Sequence, residues 1–165
     1  MRIHCLLLLL CSLGVSLAAK PNVVFFFIDD MGWTDLGFMG SKYYESPHID
    51  KLAQEGMVFM NAYAAAPNCA PSRACLMSGQ YSPRHGVYTV ANSDRGSSKD
   101  RKLIPIKNTI HLAEEFVTMG EALQAGGYVT ATMGKWHLGD DPTTQGFDVN
   151  VAGKTWGSPS GGGYH

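Results

Sequence analysis

The chain is short of charge, of cysteine and of long apolar runs, and each shortage closes off a class of function. Lys and Arg number 13 against 14 Asp and Glu in 165 residues, a net charge of −1. A surface so nearly neutral has no field to draw nucleic acid or an anionic membrane, so neither is expected as a partner. The 4 cysteines form no Cys/His set with zinc spacing. One apolar run is long, Leu6 to Leu17, and it is too short to span a bilayer comfortably. No internal repeat is visible.

That run follows Arg2 and precedes the small residues Ser16-Leu17-Ala18, the layout of a secretory signal. Residues 1–18 are therefore expected to be a signal peptide and 19–165 the exported remainder, with no stable membrane anchor. The expected compartment is periplasmic, extracellular or lysosome-like. Cys5 and Cys11 leave with the signal, so Cys69 and Cys75 remain. Six residues apart on one helix, they would point to different faces, which opposes a disulfide between them. Cys75, beside Leu76 and Met77, reads as a buried helix residue.

Val23 to Ile28 is continuously apolar and rich in β-branched and aromatic residues, the pattern of a central strand buried on both faces of a parallel sheet. Ser46-Pro47 opens a short helix that ends at Gly56. Met57 to Ala65 reads as a second strand, Thr109 to Ala125 as a helix with a weak point near Thr118-Met119-Gly120, and Tyr128 to Met133 as a third strand. Tyr88 to Asn108 is polar and charged and reads as a surface loop; Arg84 and His85 read as surface residues, and Asp140-Asp141 as a polar turn. Alternating strands and helices predict an α/β fold that binds ligands outside the carboxyl ends of its strands.

Two places carry chemistry. In Cys69-Ala70-Pro71-Ser72-Arg73 a proline suited to the first helical turn follows a cysteine by two positions and precedes an arginine by two. A helix starting near Pro71 would set Cys69 among unpaired N–H groups, with Arg73 a turn away, and so favour an anion. Asp29 and Asp30 adjoin at a strand end and repel each other unless a cation intervenes. Oxygen-only ligands favour Ca²⁺ or Mg²⁺ over zinc.

The first of these stretches resembles the signature of the type I sulfatases, in which Cys-x-Pro-Ser-Arg directs oxidation of the cysteine to formylglycine. A second family signature has its likeness in Gly127-Tyr128-Val129-Thr130-Ala131-Thr132-Met133-Gly134-Lys135-Trp136-His137-Leu138-Gly139. The resemblance implies an alkaline-phosphatase-like α/β sandwich with a largely parallel central sheet. It also implies a sulfuric ester hydrolase of arylsulfatase type. Cys69, matured by a formylglycine-generating enzyme, would be the nucleophile and would also contact the metal. Arg73 would orient the hydrated aldehyde, Lys135 would bind substrate sulfate, and His137 would hydrogen-bond the second hydroxyl and help move its proton. Asp29 and Asp30 would bind calcium, with magnesium the lesser candidate. On a strand, Lys135 and His137 would share one face. Departures are mild: Asn68 before the cysteine, Ser78 before Gly79, and Met133.

The resemblance runs from Pro21 to about Gly153 and covers the first part of a sulfatase. The family's later Asp-Asn ligands, second Lys and further His have no counterpart, so an amino-terminal piece or truncated product, inactive alone, is expected. A phosphate or phosphonate ester hydrolase of the same superfamily, or a non-catalytic remnant, are the alternatives.

Overall fold

In the computed structural model, residues 20–158 are described; the expected signal segment 1–18 lies outside them. Among the described residues, four helices and two strands follow in chain order: α1 (Pro47–Glu55), α2 (Cys69–Ser78), α3 (Ser82–His85), α4 (Met119–Ala125), β1 (Ala131–Met133) and β2 (Val149–Val151). Short 3₁₀ turns occur at Gly37–Met39, Ser98–Asp100 and Pro142–Gln145.

The core is organised around α2. Ala70, Ala74 and Met77 form its buried stripe and meet Val87, Leu112, Trp136, Leu138 and Phe147. The spacing of 70, 74 and 77 is that of one helical face. Trp136 and Phe147 meet edge to face at 5.6 Å between ring centroids, a favoured aromatic geometry. Cys75 is buried as expected, and Cys69 and Cys75 are both free thiols.

The helix begins two residues earlier than the proline suggests. Ser72 N–H donates to Asn68 C=O at 3.1 Å, so the ladder opens at Cys69. Pro71 still falls inside the first turn, where its missing N–H is harmless. Gly79, at φ 64°, ends the helix in a left-handed conformation that favours glycine.

The parallel sheet is a single pair, with Ala131 opposite Val149 and Met133 opposite Val151. The expected third strand, Tyr128 to Met133, shrinks to Ala131–Met133. Of the expected helix 109–125, Met119–Ala125 forms. Upstream, Thr109 and Leu112 donate their N–H groups to Gly86 and Leu138 carbonyls, so this segment bonds across the fold instead of along a helix. Thr118 then starts α4 with a reciprocal capping box to Glu121.

Two expected strands do not form. Val23–Ile28 joins no ladder, and Val24 and Phe26 are 75% and 82% exposed. A strand exists through its neighbours' N–H and C=O groups, and the described residues offer this run none. Its period of two survives: Phe25 and Phe27 are the less exposed pair, their rings 6.2 Å apart on one side of the chain. Met57 to Ala65 is likewise turn and irregular chain with exposed Met57, Phe59 and Tyr63. The 88–108 loop is largely irregular as expected, and Asn108 ties it down through bonds to Tyr88 and Thr89 N–H groups.

Candidate active site

Three segments far apart in sequence meet at the amino end of α2. Arg73, one turn into that helix, donates from Nη2 to Asp29 Oδ2 at 3.1 Å and from Nε to the same oxygen at 3.4 Å. Its Nη1 donates to Lys135 C=O at 2.5 Å. Lys135 Nζ lies 2.7 Å from Asp29 Oδ2. One guanidinium fork thus joins the end of the 23–28 run to the chain that leaves β1. The guanidinium also sits 4.9 Å above the Phe27 ring, a cation–π contact.

The charge balance of this cluster is uneven. Burial pushes the Asp29 carboxyl up, but the Lys135 ammonium and the Arg73 guanidinium outweigh it and hold the group below its usual value of 3.8. Arg73 and Lys135 outnumber Asp29 by one charge, and Asp30, lining the same cleft as Asp29 and Arg73, offsets that surplus.

Cys69 opens α2 at the rim of a cleft of about 200 Å³, lined by Asp29, Asp30, Asn68, Ser72 and Arg73 among others. It is half-buried, so its side chain is reachable. Asn68, the N-cap residue, makes no side-chain cap bond. The first N–H groups of the helix are therefore not capped by its side chain.

A hard cation fits this donor set in kind but not in number. Asp29, Asp30 and residue 69 line the same cleft, and carboxylate oxygens suit calcium or magnesium, which take roughly six to eight ligands in the calcium case. Among the described residues no three His, Cys, Asp or Glu side chains converge as a metal-binding group, and one Asp29 oxygen is engaged by Arg73 and Lys135. Asp30, at φ 54°, holds a left-handed conformation that a short polar residue tolerates best.

Lys135 and His137 do not share a strand face. Strand β1 ends at Met133, and positive φ at Gly134 (90°) and His137 (62°) turns the chain into a loop. The turn sends Lys135 to Asp29, while the His137 N–H donates to Lys154 C=O at 2.9 Å and its ring stays near enough to Lys135, Arg73 and Asp29 to feel their charges. Its Nδ1 is buried without a partner. Gly157 lies against the ring so closely that a Cβ there would come within 2.6 Å of Cε1. Nothing in the spacing of the sequence signals that contact.

His85, expected at the surface, is instead buried. Its Nδ1 accepts from Val87 N–H at 3.1 Å and its Nε2 lies 3.5 Å from Cys75 Sγ. The left-handed Gly86 that ends α3 turns the chain back so that the imidazole packs beneath α2. Arg84 does stay exposed, bonded to Gln80.

Both histidines titrate low. Burial, then the charges of Lys135 and Arg73, push His137 below 6.5, with Asp29 pulling the other way. Burial likewise lowers His85, partly offset by a backbone hydrogen bond at Gln80. An unfolded imidazole takes up its proton near 6.5, while these two refuse it until lower pH, so stability falls as pH falls through that window. With a chelator present, the urea midpoint should hold steady from about pH 8 to 7 and drop between about pH 6.5 and 5. His137→Gln should lessen the drop; an unchanged midpoint across that window contradicts it.

The family profile "Sulfatase" matches residues 21–162. A protein described as a sulfatase from Formosa agariphila is 44% identical over 146 residues, covering 81% of this chain and 26% of that protein. Mouse (Mus musculus) N-acetylgalactosamine-6-sulfatase is 39% identical over 163 residues, covering 94% and 29%. A solved structure from work on the metabolism of multiple glycosaminoglycans by Bacteroides thetaiotaomicron superposes with a TM-score of 0.65 at 32% identity, covering 79% of this chain and 28% of the other. The chain thus spans between a quarter and a third of the length of these relatives. It belongs to the sulfatase family and carries part of that family's alkaline-phosphatase-like fold.

Proposed function

We propose that residues 19–165 form the amino-terminal part of the catalytic domain of an exported sulfuric ester hydrolase, residues 1–18 being its secretory signal, and that Cys69 is its formylglycine precursor. The supporting observation is the convergence of Arg73 with Asp29 and Lys135, 44 and 62 positions away, with Asp29 and Arg73 lining the same cleft as that cysteine. A sulfate monoester is an anion that repels an anionic nucleophile, and two cations beside the attack point remove that obstacle. Once hydrated, the aldehyde would supply one hydroxyl whose oxygen attacks sulfur as the ester's alcohol departs, and a second whose deprotonation re-forms the aldehyde C=O while the C–O bond to sulfate breaks.

The surrounding residues take the remaining work. Arg73 orients the side chain at 69 and offsets its charge. Lys135, a mobile point charge, moves from Asp29 to a sulfate oxygen. His137, kept neutral at pH 7 by burial and by the charges of Lys135 and Arg73, would hydrogen-bond the second hydroxyl at 69 and take its proton only transiently as sulfate leaves. Asp29, Asp30 and residue 69 would hold calcium, with magnesium second, and the ion would neutralise the cleft's carboxylates. Partners are the sulfate ester and, during maturation, a formylglycine-generating enzyme. No helix among the described residues is long and apolar enough to cross a membrane.

The test is the mass of the peptide around residue 69, from chain produced alongside a formylglycine-generating enzyme. The expected peptide has exchanged one sulfur and two hydrogens for one oxygen. Peptide carrying unaltered thiol throughout overturns the proposal. Comparing aryl sulfate and aryl phosphate turnover by a longer protein containing this chain separates the two ester classes, and sulfate is expected to be favoured.

A further inference from the structure

The loop from Tyr88 to Asn108 supplies no wall residue to the cleft at Cys69, yet its far end carries chemistry of its own. Arg101-Lys102 is the chain's one adjacent pair of Lys or Arg residues. It opens a stretch, 101–110, with neither helix nor strand, and the chain bends at Lys102 and Leu103. Lys102 is exposed, and Leu103 and Ile104 are 83% and 96% exposed. Among the described residues, no backbone-to-backbone hydrogen bond uses an N–H or C=O from Lys102 to Asn108.

Both flanks of this span are tied down. Upstream, the Arg101 guanidinium donates to the Arg95 and Gly96 carbonyls at 3.0 and 2.9 Å and lies 3.4 Å from an Asp94 oxygen. Downstream, Ser93 Oγ donates to Ile106 C=O, and the Asn108 side chain accepts from the Tyr88 and Thr89 N–H groups. Thr109 N–H then donates to Gly86 C=O at 2.9 Å. Residues Lys102 to Pro105 are thus a short exposed span between two fixed ends.

An endoprotease recognises extended chain by pairing with its main-chain groups and seating alternate side chains in pockets. Here the main-chain groups are free without opening any helix or strand. A carboxylate in a specificity pocket accepts a lysine ammonium, and two exposed aliphatic side chains follow that lysine. Rival basic residues are less available. Arg73 is buried, Lys51 and Arg84 lie within helices, and Lys135 is bound to Asp29.

We propose that the Lys102–Leu103 bond is a processing site for an endoprotease of trypsin-like specificity, and that the cut chain stays assembled as two pieces. Water adds across the amide: the C–N bond breaks, Lys102 keeps the new carboxylate and Leu103 the new ammonium. The core joins the pieces, because Ala70, Ala74 and Met77 of the first share one cluster with Leu112, Trp136 and Phe147 of the second. Arg73 and Asp29 also reach across the cut to Lys135. The site stands whether or not Cys69 is converted.

The test is brief digestion of the folded chain with a trace of trypsin, read by mass spectrometry and size-exclusion chromatography. Lys102–Leu103 should be cut about tenfold faster than any other bond, and the two pieces should elute together in buffer and apart in urea. Leu103→Pro, at an exposed position with no backbone hydrogen bond to lose, should abolish the cut and leave the circular dichroism spectrum unchanged. A first cut at Lys42, Lys107 or any other bond overturns the proposal, as does a chain left uncut at Lys102. Separation of the pieces in buffer overturns it too. If Leu103→Pro loses the parent spectrum, Lys102→Gln decides, and an unslowed cut between Arg101 and Leu103 is fatal.

Discussion

Arg73→Ala is expected to lower the unfolding free energy by about 3 kcal/mol, read as a lower urea midpoint at neutral pH. The side chain is nearly inaccessible and makes hydrogen bonds to Asp29 and to the Lys135 carbonyl. Alanine leaves that carbonyl without its donor and Asp29 with Lys135 alone, and it removes the cation from the Phe27 ring. Asp29 keeps some access to water, which limits the loss. Arg73→Lys separates charge from geometry. A lysine restores the positive charge, but one ammonium cannot span the carboxylate and the carbonyl together. It should recover less than half of the stability lost with alanine. A full recovery would mean that net charge, not the planar fork, holds the three segments together.

Gly146→Ala should be more damaging still, at about 4 kcal/mol, combining backbone strain of about 1–3 kcal/mol with overpacking of similar size. Gly146 has φ 86°, where a Cβ is disfavoured. A Cβ there would also fall 2.1 Å from Glu121 N and 2.6 Å from Gly120 C, inside the first turn of α4. The approach is close from both sides, since a Cβ on Gly120 would lie 2.5 Å from Gly146 O. Thr118 and Thr130 hydroxyls donate to the Gln145 and Gly146 carbonyls at 2.7 Å each. Moving this backbone therefore loosens α4, the entry to β1 and the buried Gln145 together. Against a typical domain stability of about 5–15 kcal/mol, such a loss leaves much of the chain unfolded. Circular dichroism melting checks it. A drop below about 1 kcal/mol would contradict the tight contact.

The exposed flank of the molecule bears on both measurements. Val24 and Phe26 stand in solvent, as do Met57, Phe59 and Tyr63, so variants should be compared at low protein concentration to limit self-association.

Local chemistry was legible along the chain. Proline, hydroxyl and glycine punctuation placed α1, the start of α2 to within two residues, and the end of α4. The apolar neighbours of Cys75 announced its burial, and the two long signatures announced the family. These features depend on residues within a turn or two of each other, so their spacing carries them. Ion-pair partners, strand neighbours and ring contacts depend on segments dozens of residues apart, and no local pattern encodes those distances. The meeting of Arg73, Asp29 and Lys135, the burial of His85 under α2 and the Gly157 contact with His137 emerged with the packing. So did the failure of Val23–Ile28 to pair: apolar composition makes a run fit for a sheet, but only hydrogen-bonding neighbours make it a strand.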